Sequence, residues 1–75
     1  MRRFFFDFVG FDHSEYDFKG REFSNPKAAL ELAELIALDE SMSGSRLGWE
    51  VRVSDVVGKQ LFTVPIGETP ELMAA

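Results

Sequence analysis

Hydrophobic and polar positions alternate with period two towards both ends of the chain and recur with helical spacing in the middle, so strands flank a helix. The first alternation is RFFFDFV, residues 3–9, with Phe4, Phe6 and Phe8 on one face and Phe5, Asp7 and Val9 on the other. A strand that is largely apolar on both faces suits the middle of a sheet. GFDHS (10–14) reads as a loop and Tyr16–Lys19 as a second strand, a hairpin that Gly20 and the charged Arg21-Glu22 end or bulge. SNP at 24–26 predicts a helix start. Asn25 is placed to cap the first free amides, and Pro26 sits where a missing N–H is harmless. The helix runs to about Ser41, with Gly44 available to reverse the chain.

The centre of its apolar face is Leu32, Ile36, Ala29 and Ala33. Leu35 and Ala28 extend it on one side, Ala37 and Leu30 on the other. Lys27, Glu31 and Glu34 form a narrow polar strip in which Leu38 sits, and the apolar arc exceeds the ~100° that one sheet covers. Leu47–Ser54 alternates again, with Leu47, Trp49, Val51 and Val53 inward and Glu50, Arg52 and Ser54 outward. DVVGK is a turn in which Gly58 supplies a positive φ. Gln60–Ile66 is the last strand, with Phe62, Val64 and Ile66 on one face and Pro65 suited to an edge.

The order is ββαββ. A right-handed crossover through the helix carries the chain over strand 1. The expected fold is therefore α+β: a four-stranded antiparallel sheet in order 2-1-3-4 with one helix packed on one face. It forms a single domain over residues 1–66, and 67–75 is a flexible tail. Phe4, Phe6 and Phe8 then lie under the helix, while Phe5, Val9 and Leu61 stay on the far face.

Composition narrows the functions. Thirteen acidic and eight basic residues give a net charge of −5, and the only basic doublet is Arg2-Arg3, so no nucleic-acid surface is expected. That doublet precedes an apolar run as in a leader, but Asp7, Gly10 and Asp12 interrupt the run and no small-x-small cleavage site follows. No stretch reaches the ~20 apolar residues of a membrane span. A cytoplasmic protein with no membrane partner is expected. The absence of cysteine excludes disulfides, thiolate metal sites and cysteine nucleophiles.

Candidate chemistry is sparse. His13 is the single histidine, in FDHSEYD, where Asp12, Glu15 and Asp17 could hold it as a base or join it on a metal. It lacks a second nitrogen ligand and the spacing of a calcium loop, so a solvated turn residue is the simpler reading. No G-x-S-x-G elbow is present and no glycine-rich loop opens the helix. No catalytic residue, cofactor or metal ligand is assigned. Asp7, Asp17 and Glu50 share the open sheet face with Lys19 and Arg52, either as a polar ligand platform or as cross-strand charge pairs. Asp39 and Glu40 stand in the last helical turn, where the helix dipole disfavours negative charge, and Arg46 is placed to neutralise them.

Surplus apolar surface is the strongest signal, and Phe5, Val9, Leu30, Leu38 and Leu61 are its candidate interface residues. The leading expectation is a small non-enzymatic binding or regulatory module acting through protein contacts, with an unknown partner or with itself as a homodimer. The alternative is a small-molecule or metal-binding domain using the acidic loop and open face: His13, Asp7, Asp17, Glu50 and Arg52.

Several motifs together carry a resemblance. They are FFF-D at 4–7, D-x-x-G at Asp17 and Gly20, the alanine-rich Asn25–Ser41 helix, W-x-V-x-V-x-D from Trp49 to Asp55, Gly58, and L-x-x-VP from Leu61 to Pro65. The chain resembles an uncharacterised family of short alphaproteobacterial proteins, common in rhizobia, defined only as a domain of unknown function. The resemblance implies the ββαββ order and a bacterial cytosolic origin, and it supplies no catalytic residue. Family members often carry a histidine soon after the first aromatics, where this chain has Asp7, so no role of that histidine transfers. FSNPKAALELAELIA (23–37) has a looser likeness to antitoxins built from a β-hairpin and an amphipathic helix, without a DNA-binding segment after it.

Overall fold

The computed structural model describes residues 1–67, so the tail expected at 67–75 lies, beyond Gly67, outside the described residues. The elements are β1 (Arg2–Val9), β2 (Ser14–Glu15), β3 (Arg21–Phe23), α1 (Pro26–Ser43), β4 (Glu50–Asp55) and β5 (Gln60–Pro65). All strand pairs are antiparallel. β1 lies between β4 on one side and both β2 and β3 on the other, and β5 flanks β4. The helix covers one face, chiefly over β4 and β5. This is the expected α+β architecture and strand path, with one difference: the outer strand is split in two.

Tyr16–Lys19, expected as the second strand, forms no ladder. β2 pairs with Phe8 and Val9, and β3 with Arg2 to Phe4, so Tyr16–Gly20 on one side stands against only Phe5–Asp7 on the other. The physical cause is Asp17. Its Oδ1 accepts from the amides of Lys19 (3.1 Å) and Gly20 (3.0 Å), and its Oδ2 accepts from Phe6 N–H (3.1 Å). A side-chain carboxylate thus replaces the carbonyl that a regular strand would offer β1, and the ladder is outcompeted locally. Asp7 completes the link by accepting the Asp17 amide at 2.9 Å.

Gly20 closes this turn with φ 71°, and a Cβ there would lie 2.8 Å from the Phe4 carbonyl oxygen and 2.9 Å from the Phe5 ring. Both the left-handed backbone and the fixed carbonyl oppose any side chain. Gly20→Ala is expected to destabilise the fold by about 2–3 kcal/mol, read as a lower urea midpoint at unchanged slope. DVVG at 55–58 repeats the D-x-x-G pattern. Asp55 Oδ1 accepts from the amides of Val57 (3.1 Å) and Lys59 (2.9 Å), which turns β4 into β5. After the turn the register shifts: Val53 opposes Phe62 and Ser54 opposes Gln60, leaving Leu61 unopposed. Leu61 consequently packs against the core rather than standing on the far face.

The helix begins as its sequence dictates. Asn25 is extended, its side chain accepts from the Ala28 amide at 2.9 Å, and Pro26 follows. It ends two residues later than expected, at Ser43, where Gly44 and Ser45 donate back to Ser41 and Glu40. Its buried side is a ridge of small residues, Ala29, Ala33 and Ala37, one per turn. The ridge meets Phe4, Phe6, Val51, Val53 and Ile66, while Leu32 and Ile36 pack along its flank. Phe8 and Phe23 pack against the same cluster, with the Phe23 ring 6.3 Å from Phe4 and 6.1 Å from Phe6.

Two apolar assignments change. Leu35 is not part of the packed arc: at 100° per residue it lies about 200° from Ala33, on the helix's far side, and is 63% exposed. Leu47 lies in the turn after the helix, ahead of the first strand residue Glu50, and is exposed instead of inward.

Candidate functional site

The sheet's uncovered face brings together three of the five expected polar-site residues. Asp7 of β1 stands opposite Arg52 of β4, and Val9 opposite Glu50. Arg52 donates to Glu50 at 2.6 Å, a partly exposed pair two residues apart on one strand. Asp17, which lines a cleft on the helix side, is tied to this group through its amide bond to Asp7, and both carboxylates accept backbone amides. Asp7 holds the Asp17 amide, and Asp17 holds three amides on its two oxygens. Burial opposes the charge on Asp17, yet the amides of Gly20, Phe6 and Lys19, with nearby Arg21, outweigh it and hold its pKa below the ordinary 3.8. Both acids maintain the backbone of the split strand, which is a structural use of residues expected to face a ligand.

His13 belongs to a different group. Its ring stands edge-on to Trp49 with centroids 4.9 Å apart, and its Nδ1 lies 3.2 Å from Asp12 Oδ1. The Trp49 indole rests on Gly10, where a Cβ would approach the ring to 2.5 Å. Among the described residues, no three His, Cys, Asp or Glu side chains gather as a metal ion would require.

Sequence reading underestimated Arg46, the one non-glycine residue with positive φ among the described residues, at 51°. Its guanidinium lies 4.2 Å above the Phe8 ring and 5.8 Å from Trp49. It donates to Glu40 Oε1 at 3.0 Å and to Glu15 of β2 through its other terminal nitrogen. One side chain therefore ties the helix's C-terminal turn to β1 and β2, and the expected neutralisation of Glu40 is observed. The bond to Glu15, then that to Glu40, raises its already high pKa, so the clasp stays charged.

Two surfaces flank the helix, while Phe11, Phe18 and Val57 stand exposed in loops and turns. On the outside of α1, Leu35 (63% exposed), Leu38 (52%) and Met42 (79%) follow the i, i+3, i+7 spacing of one stripe. Glu31, Glu34 and Asp39, all exposed, share this outer side. The second surface is a cleft of about 270 Å³ between α1 and the Asp17–Arg21 turn, with Leu32 and Ile36 on one wall and Phe6 at its base. Of the five expected interface residues, Leu38 alone is exposed. Phe5, Val9 and Leu30 are partly buried, and Leu61 rests on the core. Leu35 and Met42, which the sequence reading did not place here, share the exposed stripe with Leu38. Their spacing with Leu38 was the available signal, obscured by placing Leu35 with the core and ending the helix before Met42.

Residues 3–67 match the family model described as Domain of unknown function (DUF6894). The chain belongs to the DUF6894 family. No curated protein and no solved structure matches it. The motif residues that marked the resemblance have structural roles in this DUF6894 chain. Asp7, Asp17 and Gly20 build the split strand, Trp49 covers Gly10, and Asp55 and Gly58 turn β4 into β5. No helix among the described residues is long and apolar enough to cross a membrane.

Proposed function

We propose that this DUF6894 protein is a non-enzymatic docking module, and that the outer stripe of α1 is its contact surface. The observation that carries this reading is the exposure of Leu35, Leu38 and Met42 in one line on the side of the helix away from the sheet. Three large apolar side chains aligned at helical spacing form a seam of the kind helices use against one another. The helix needs none of them to hold its place, because the alanine ridge and its flanking Leu32 and Ile36 do that.

Charge selects the partner. The stripe is accompanied by Glu31, Glu34 and Asp39, and Lys27 is the one cation on α1. A second copy docked helix to helix would face these acids with its own, whereas a cationic amphipathic helix would pair with them. The non-enzymatic part is supported by the engagement of the candidate groups: Asp7 and Asp17 hold amides, and Arg46 and Arg52 hold carboxylates.

The test uses two labelled helical peptides carrying leucines at i, i+3 and i+7, one flanked by lysines and the other by glutamates. The lysine peptide is expected to bind with an affinity that falls as salt rises. Leu38→Glu should weaken it at least about tenfold, the glutamate peptide should not bind, and sedimentation equilibrium of the chain alone should give a monomer. Equal binding of both peptides, an unaffected Leu38→Glu, or a dimer abolished by Leu38→Glu would overturn the reading.

A further inference from the structure

The cleft beside Phe6 lies on a different flank of α1 from the stripe, and its reading is independent of the docking face. Two features of the fold create it. The outer strand breaks at Tyr16–Gly20, so no regular rung runs alongside Phe6. The helix is seated mainly over β4 and β5 and reaches only β3 on the other side. The space left between them is lined by Leu32 and Ile36 from the helix, the Phe6 ring below, and Lys19 and Arg21 from the turn.

The charges in this cleft are unequal in a specific way. Asp17, its one acid, has both carboxylate oxygens engaged by the amides of Phe6, Lys19 and Gly20. Lys19 and Arg21 form no ion pair among the described residues. Arg21 offsets part of the Asp17 charge from nearby. Two cations against one carboxylate leave the cleft with one net positive charge, so a further negative group is what would complete it. The apolar walls in turn ask for an apolar body, which a bare inorganic anion does not have.

We infer that this cleft binds a small amphipathic carboxylate, its carboxylate held by Lys19 and Arg21 and its aryl or branched-alkyl body packed on Phe6, Leu32 and Ile36. Arg21 offers the forked donor geometry that a carboxylate accepts on both oxygens, and Lys19 adds a mobile point charge. At about 270 Å³ the space is near the lower end of small-molecule sites, which suits a body of one ring.

Phenylacetate titrated into isotope-labelled protein is the probe. The expected result is saturable movement of the Lys19, Gly20, Arg21 and Ile36 amide resonances. Phenylacetamide, which keeps the ring and loses the charge, should bind roughly tenfold more weakly. Inorganic phosphate should produce no saturable movement at the same concentrations. Arg21→Gln and Lys19→Gln, both at exposed positions, should keep the folded spectrum and each weaken phenylacetate by a similar factor. Absence of saturable shifts, equal binding of the amide, an equal response to phosphate, or unchanged affinity in both variants would overturn the assignment.

Discussion

Phe4→Ala is expected to remove about 3–5 kcal/mol of stability and to leave no cooperative unfolding transition at 25 °C. Phe4 is fully buried on the central strand, with the Phe23 ring 6.3 Å away and the alanine ridge of α1 in the same cluster. The hole left by its ring cannot be refilled from above, because Ala29, Ala33 and Ala37 have no rotatable side-chain atoms to reach into it. A core in a chain of this length, without disulfides, rarely supplies more than ~3–5 kcal/mol, so the loss matches the whole. Circular dichroism against urea decides the matter. Phe4→Leu, which keeps most of the volume, should retain a measurable transition at a lower midpoint.

Asp17→Ala ranks second, with an expected loss of about 2–3 kcal/mol. Three backbone amides would lose a charged acceptor, and those of Phe6 and Gly20 are partly buried. Asp17→Asn separates the contributions. Its amide oxygen can still accept from Lys19 and Gly20, but its NH₂ would face the Phe6 N–H, donor against donor. An intermediate urea midpoint is therefore expected for Asn. The pH dependence has a definite sign. The folded pKa of Asp17 lies below its ordinary 3.8, so its ionised form contributes stability in full above that value. The contribution disappears as pH falls through the lower folded value. Acid unfolding of the native chain should show this limb, and Asp17→Asn should lack it.

Much of this architecture is legible in the chain. Alternation identifies β1, β4 and β5, Asn25-Pro26 marks the helix start, and the doubly apolar β1 implies its central place in the sheet. The split strand is harder to see, because the alternation of Tyr16–Lys19 reads as a rung-forming segment. What decides against it is a side-chain carboxylate collecting amides from two directions, a contact that period-two reasoning does not include. The helix arc is a question of volume. Phe4, Phe6, Phe8 and Phe23 fill the space above the sheet, so the helix can approach only through alanines, and its leucines divide between flank and outside. Apolarity alone places Leu35 with the core; matching large residues on the sheet to small ones on the helix would have turned it outward. Asp7 and Asp17 were legible as a pair, and their structural duty was not. Arg46 was legible as a counter-charge for Glu40, but its stacking on Phe8 depends on a left-handed backbone that nothing in the local sequence announces.

The docking stripe is tested most directly by urea unfolding and lysine-peptide binding of one variant, Leu35→Gln/Leu38→Gln/Met42→Gln. If these residues serve a partner and not the fold, the unfolding free energy should stay within about 0.5 kcal/mol of the native chain while binding is lost. A drop in stability of the size expected for core residues, or peptide binding that survives all three substitutions, would contradict it.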